Sequence, residues 1–212
     1  MNNIYKRFVP IIFFTRARFI LSTSLILSLI SGFVVGKDSQ AVRVREINLE
    51  EIVNVAQHIF SGFCVGVESR YDNKTGRDAF FFKFKISKMI KGEQLNEFTF
   101  KMSKTAVNIG SSPPCIAENE VVIFLHGESD LGFTSPVGVG QGQFWVKYLP
   151  TGQKVVVNGN NNFNLFKGID EAKYKNKFAG SKDLTKIQKV LKQQSGEIDY
   201  QTFITIVEGM IH

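Results

Sequence analysis

Cysteine, histidine, tryptophan and proline are all scarce in this chain: two, three, one and five among 212 residues. Two cysteines cannot staple a small scaffold, so stability has to come from a packed core, for which 20 phenylalanines supply material. Histidines at 58, 126 and 212 are too scattered to imply an imidazole metal site. His126 closes an apolar run and reads as a rim residue, while His58 follows the polar positions Glu50, Glu51 and Asn54 and reads as exposed. G-x-S-x-G, H-E-x-x-H, P-loop, G-x-G-x-x-G and C-x-x-C patterns are all missing. No catalytic, cofactor-binding or metal-ligating residue is therefore assigned, and no cofactor is expected. With 43% hydrophobic and 21% charged residues, the composition excludes a disordered, collagen-like or polytopic membrane chain.

The formal charge of +7 is unevenly spread. Five of the 26 basic residues (Lys6, Arg7, Arg16, Arg18, Lys37) and one of the 19 acids (Asp38) precede residue 42, leaving 21 against 18, a net +3. The basic character thus belongs largely to the N-terminal segment and is no footprint of nucleic acid. That segment has the parts of a secretory signal: a basic start, the apolar run FILSTSLILSLISGFVVG over 19–36, and the small-x-small exit Ser39-Gln40-Ala41. Residues 1–41 are read as a signal peptide cleaved after Ala41 or Gly36, with the periplasm, cell surface or medium as destination. The alternative is an uncleaved single-pass anchor in the inner membrane, since the run at 1.5 Å per residue nearly spans a hydrocarbon core of about 30 Å.

Cys64 and Cys115 fall in the exported part, where disulfides persist. A bridge between them is the default. Two separate buried thiols, or a catalytic thiol, are the other readings.

Asn48-Leu49-Glu50-Glu51 opens a short amphipathic helix with a capping pattern, continued by Ile52, Val53, Ala56 and Ile59 at helical spacing. The period then changes to two. Phe63, Val65 and Val67 mark a first strand, Asp72 to Gly76 a turn, and Phe80, Phe82, Phe84 and Ile86 the inward face of a long second strand. Phe98, Phe100 and Met102 give a third strand. Val121 to Leu125, apolar on both faces, predicts the most buried one. After a glycine-rich bend (Gly138, Gly140, Gly142), Phe144 to Leu149 and Lys154 to Val157 form a hairpin, followed by an asparagine-rich loop over 158–164. Leu184 to Leu191 and Phe203 to Ile211 carry the spacing of two helices. The fold class is mainly β with flanking helices: a barrel domain over 42–170 with an N-terminal helix, and a C-terminal helical pair over 171–212 as an appendage.

Two further segments bear on binding. If Phe144, Val146 and Tyr148 face the core, Trp145 and Lys147 face outward beside Gln143, and these three form the candidate binding surface. The competing reading is that the C-terminal helices cover that face. SGEIDYQTF over 195–203 resembles the second half of an EF-hand, but the first, third and twelfth loop positions fall on Leu191, Gln193 and Thr202, so calcium is not expected. Single-stranded nucleic acid is not expected either, because the aromatic side chains beside Lys83, Lys85, Lys88 and Lys91 point inward.

FSGFCVGVE over 60–68, FKFKISKMIKG over 82–92 and PCIAENEVVIFL over 114–125 together resemble the netrin-like module, the OB-fold barrel also found in tissue inhibitors of metalloproteinases. TSPVGVGQGQF over 134–144 is similar to a segment of exported bacterial proteins. The resemblance implies a small antiparallel OB-like barrel. It does not bring inhibitory chemistry, because those inhibitors chelate zinc through an N-terminal cysteine and Cys64 follows a predicted helix. The expected function is an exported, non-enzymatic binding or accessory protein with a protein partner. A secreted protease inhibitor is the alternative and an enzyme of another type the second one.

Overall fold

A computed structural model describes residues 44–211 apart from 110–113, 117, 180 and 182. The predicted signal segment, 1–41, lies outside the described residues. The elements are α1 (Leu49–Val55), β1 (His58–Asp72), β2 (Arg77–Lys91), β3 (Glu97–Ser103), α2 (Lys104–Ile109), β4 (Glu120–Leu125), β5 (Gln143–Tyr148), β6 (Lys154–Asn158), α3 (Glu171–Phe178), α4 (Leu184–Leu191), β7 (Ile198–Asp199) and α5 (Tyr200–Met210). The seven strands form one antiparallel sheet in the order β3-β2-β1-β4-β5-β6-β7, open at its ends among the described residues. The mainly β architecture with several helices is the one the sequence predicts.

β4 divides two cores. Its residues EVVIFL are all buried, as the two-sided apolar run requires. On one face Val121, Ile123 and Leu125 meet Phe60, Phe82, Phe84, Phe98 and Phe100, with Phe82 and Phe100 rings stacked at 5.3 Å. On the other, Val122 and Phe124 join Phe144, Val146 and Val156 beneath Leu49, Ile52 and Val53 of α1 and Phe203, Ile204 and Val207 of α5. The Phe144 and Phe203 rings lie 4.7 Å apart. Tyr174 and Phe178 of α3 and Ile187 of α4 complete this second core, so residues 171–212 are part of the same body rather than an appendage.

Between β3 and β4 runs the segment 133–137. Phe133 pairs in parallel with Lys101, and Pro136 antiparallel with Leu125. The Thr134 N–H donates to the Lys101 carbonyl (3.0 Å) and the Val137 N–H to the Phe124 carbonyl (2.9 Å). β3 is thereby flanked on the side away from β2.

Three local expectations change. Asn48 does cap α1, its Oδ1 accepting from the Glu51 N–H at 2.9 Å, but the helix ends at Val55 instead of running on to Ile59. The Gln57 N–H donates to the Leu125 carbonyl, so strand pairing claims the chain there. Ile59 is buried all the same, from β1. Along β1, Val65 and Val67 are exposed while Cys64 is buried, the reverse of the phase implied by the alternation. Register shifts between Ser61 and Gly62 and between Cys64 and Gly66 re-aim the side chains. Finally, α3 is a helix that EAKYKNKF does not announce, because only Tyr174 and Phe178 mark its inner side.

A candidate pocket at the end of β3 and β4

Ser103 ends β3, and its Oγ accepts the Ala106 N–H at 3.1 Å, starting α2 where the strand stops. Met102, Ala106 and Val107 then form one wall of a pocket of about 380 Å³, joined by Pro114. The opposite wall is His126 with Ser135, Pro136, Gly138, Val139 and Gly140. Two hydrogen bonds fix the walls: the His126 N–H donates to the Ser135 carbonyl (3.1 Å), and the Thr134 hydroxyl to the His126 carbonyl (2.7 Å). The lining is apolar apart from one imidazole, one hydroxyl and backbone groups, with no acid among these residues. Its size and composition are those of a ligand site.

The glycine-rich wall has an unusual backbone. Gly138, Val139 and Gly140 have φ of 65°, 55° and 98° in succession. Glycine is favoured at 138 by its φ of 65°, and a Cβ there would also have to displace the tip of Ile47, whose Cδ1 lies 2.5 Å from that position. Val139 is a β-branched residue in the left-handed region, a conformation that costs about 1–2 kcal/mol. Gln141 holds the turn in place. Its Nε2 donates to the Arg45 and Gly138 carbonyls, and its Oε1 accepts the Ile47 N–H at 3.1 Å. Val139 is 43% exposed at the pocket's lip.

Cys64 and Cys115 are joined by a disulfide across a Cα–Cα distance of 5.4 Å, and both are buried. The bridge ties β1 to the chain directly after Pro114, and hence to the pocket wall.

A second polar cluster lies at the rim of the helix-covered core. Glu120 is 3% exposed and accepts from Lys154 Nζ (2.9 Å), the Tyr148 hydroxyl (2.6 Å) and the Ser61 hydroxyl (3.3 Å). Lys154 also lies over the Tyr148 and Tyr200 rings at 4.9 and 5.4 Å. Its hydrogen bond to Glu120 raises the lysine pKa above the usual range. Both Glu120 carboxylate oxygens are engaged, which marks the cluster as an internal tie between β4, β5, β6 and α5.

The sequence-derived surface residues do not share one environment. Gln143 is 3% exposed, Trp145 is half-buried against the Phe-rich core, and Lys147 is exposed with its Nζ 2.9 Å from Glu197. The C-terminal helices cover the opposite side of β5, over Phe144 and Val146. The EF-hand-like stretch is a capped helix start: Asp199 Oδ1 accepts from the Thr202 N–H (2.9 Å) and hydroxyl (2.8 Å). Among the described residues there is no group of three or more His, Cys, Asp or Glu arranged to hold a metal ion, and no helix is long and apolar enough to cross a membrane.

Ala106 and Val107 carry no individual mark in the sequence, Met102 is legible only as a strand position and His126 only as a rim residue. The GVGQG run is legible as a bend but not as a wall. No family model, curated protein or solved structure matches the chain.

Proposed function

We propose that the chain is a non-enzymatic binding protein working outside the cytoplasm, and that it recognises a partner protein by receiving an apolar group in the pocket between α2 and the glycine-rich turn. The observation carrying this reading is the pocket: about 380 Å³, apolar, walled by a strained backbone turn, with Val139 exposed at its lip. Exposed apolar surface beside a pocket suits a partner that covers it.

The body holding the pocket is, in this reading, an OB-type barrel of netrin-like kind. β1 pairs with β2 and β4, β2 with β3, and the segment 133–137 bridges β3 in parallel to β4 in antiparallel sense. That ring of five supports the barrel, with β5, β6 and β7 as an extension beyond β4. The buried disulfide supports an oxidising compartment, in keeping with the export signal read over 1–41. Fold alone would not assign a function.

The test is a photo-cross-linking residue placed at position 139 of the full chain in the producing cells. One dominant protein adduct is expected, lost when Ala106→Trp fills the pocket. An adduct pattern indifferent to Ala106→Trp overturns the pocket as the recognition element.

A further inference from the structure

Resting on that reading, we propose that the group the pocket receives is the C-terminal residue of a polypeptide, with its apolar side chain inside and its carboxylate held by the Val139 and Gly140 N–H groups and His126. The donors come first. Gly138, Val139 and Gly140 wind as one left-handed turn, closed by the Gln141 N–H donating to the Gly138 carbonyl at 3.3 Å. The N–H groups inside a single turn have no partner within it, as at the start of any helix. Among the described residues those of Val139 and Gly140 make no backbone hydrogen bond, and both residues line the pocket. Successive N–H groups in a tight turn make a concavity that favours an anion.

Charge agrees with this. The other polar side chains of the lining are the His126 imidazole and the Ser135 hydroxyl, both able to donate, and no lining residue is acidic. Size agrees as well. A volume of about 380 Å³ is roughly a dozen water volumes of ~30 Å³, enough for a large apolar side chain with its carboxylate. Capture of a terminal carboxylate by backbone N–H groups beside an apolar pocket is an established mode of peptide recognition.

Strain points the same way. A valine held at φ 55° is disfavoured unless its surroundings dictate it, and here the Gln141 clamp on Arg45, Ile47 and Gly138 does so. The turn is thus preorganised, with its donors presented before a ligand arrives.

The experiment uses the full chain and N-terminally fluorescein-labelled hexapeptides, randomised at inner positions and ending in Val, Leu, Ile, Phe or Met. One pool carries a free carboxylate, the other a terminal amide, and decanoate serves as a second carboxylate. By fluorescence anisotropy the acid pool is expected to bind at least about tenfold more tightly than the amide pool, the size of one charge-assisted interaction. His126→Ala is expected to cut acid-pool affinity by about tenfold and amide-pool affinity by clearly less, with partial recovery in His126→Gln. Equal affinity for acid and amide overturns carboxylate capture while the apolar pocket stands. Decanoate binding as tightly as the acid pool overturns the peptide assignment. Binding of neither pool overturns recognition of a terminus, and the cross-link at position 139 decides the pocket separately.

Discussion

Lys101 on β3 reaches Asp72 at the β1–β2 turn, Nζ to Oδ2 at 2.6 Å, with only 12% and 11% of the two side chains exposed. Thr75 adds a hydroxyl hydrogen bond to Asp72 (2.8 Å), and the Lys101 ammonium lies 4.9 Å from the Phe133 ring centre. The pair fastens the first turn to β3 and to the segment flanking it. Lys101, then Thr75, holds the Asp72 carboxyl below its usual range. A depressed carboxyl contributes stability above the ordinary Asp range near pH 3.9, lost as pH falls through the lowered value. Asp72→Asn should therefore lower the urea midpoint at pH 7, and the gap from wild type should narrow at a second, acidic pH below the ordinary Asp range. An equal gap at both pH values would show that charge is not what the pair contributes.

Val139→Gly relieves a left-handed valine at φ 55°. Strain of about 1–2 kcal/mol is removed, and glycine's extra freedom in the unfolded chain takes back about 0.5–1 kcal/mol. Urea unfolding should show a net gain of roughly 0.5–1 kcal/mol, together with weaker binding of the acid peptide pool. A variant no more stable than wild type would mean the turn is unstrained.

Lys154→Met removes the cation from a Glu120 that is almost fully buried. Tyr148 and Ser61 remain as donors, so the expected loss is about 2–3 kcal/mol, below that of a wholly unpaired charge. Lys154→Met with Glu120→Met should lose less than the single change. Because the lysine's pKa is raised, its contribution is full below the ordinary lysine range and disappears as pH rises through the higher value. Denaturation at pH 8 and about pH 11 measures this.

The disulfide closes a separation of 51 residues. Cys64→Ser with Cys115→Ser should destabilise the chain by roughly 4 kcal/mol in the loop-entropy account. Guanidinium midpoints with and without reductant give the same difference on wild type. Insensitivity of the midpoint to reductant would contradict it.

What could be read in advance follows from how local each signal is. β2, β3 and β4 are legible because Phe82, Phe84, Phe98 and Phe100 alternate and because Val121 to Leu125 is apolar on both sides. Each of these patterns is complete within one strand. The end of α1 is not legible: Ala56 and Ile59 keep helical spacing by coincidence, and the Gln57–Leu125 pairing that stops the helix comes from 68 positions away. The phase of β1 is hidden by register shifts that no residue type announces. The alternation correctly sets Trp145 opposite Phe144 and Val146, yet that second face of β5 borders the Phe-rich core and half-buries it. The pocket is the least legible feature. Met102, Val107, His126 and Val139 meet only because the segment after β4 returns to lie along Lys101, a parallel contact between distant stretches that leaves no periodic trace.

β4 is a party wall. Phe124 belongs to one hydrophobic interior and Ile123, its neighbour, to the other, so neither half has a partition of its own to keep if that strand lets go. The two interiors must melt together, in a single calorimetric transition, although α1, α3, α4 and α5 pack on only one of them.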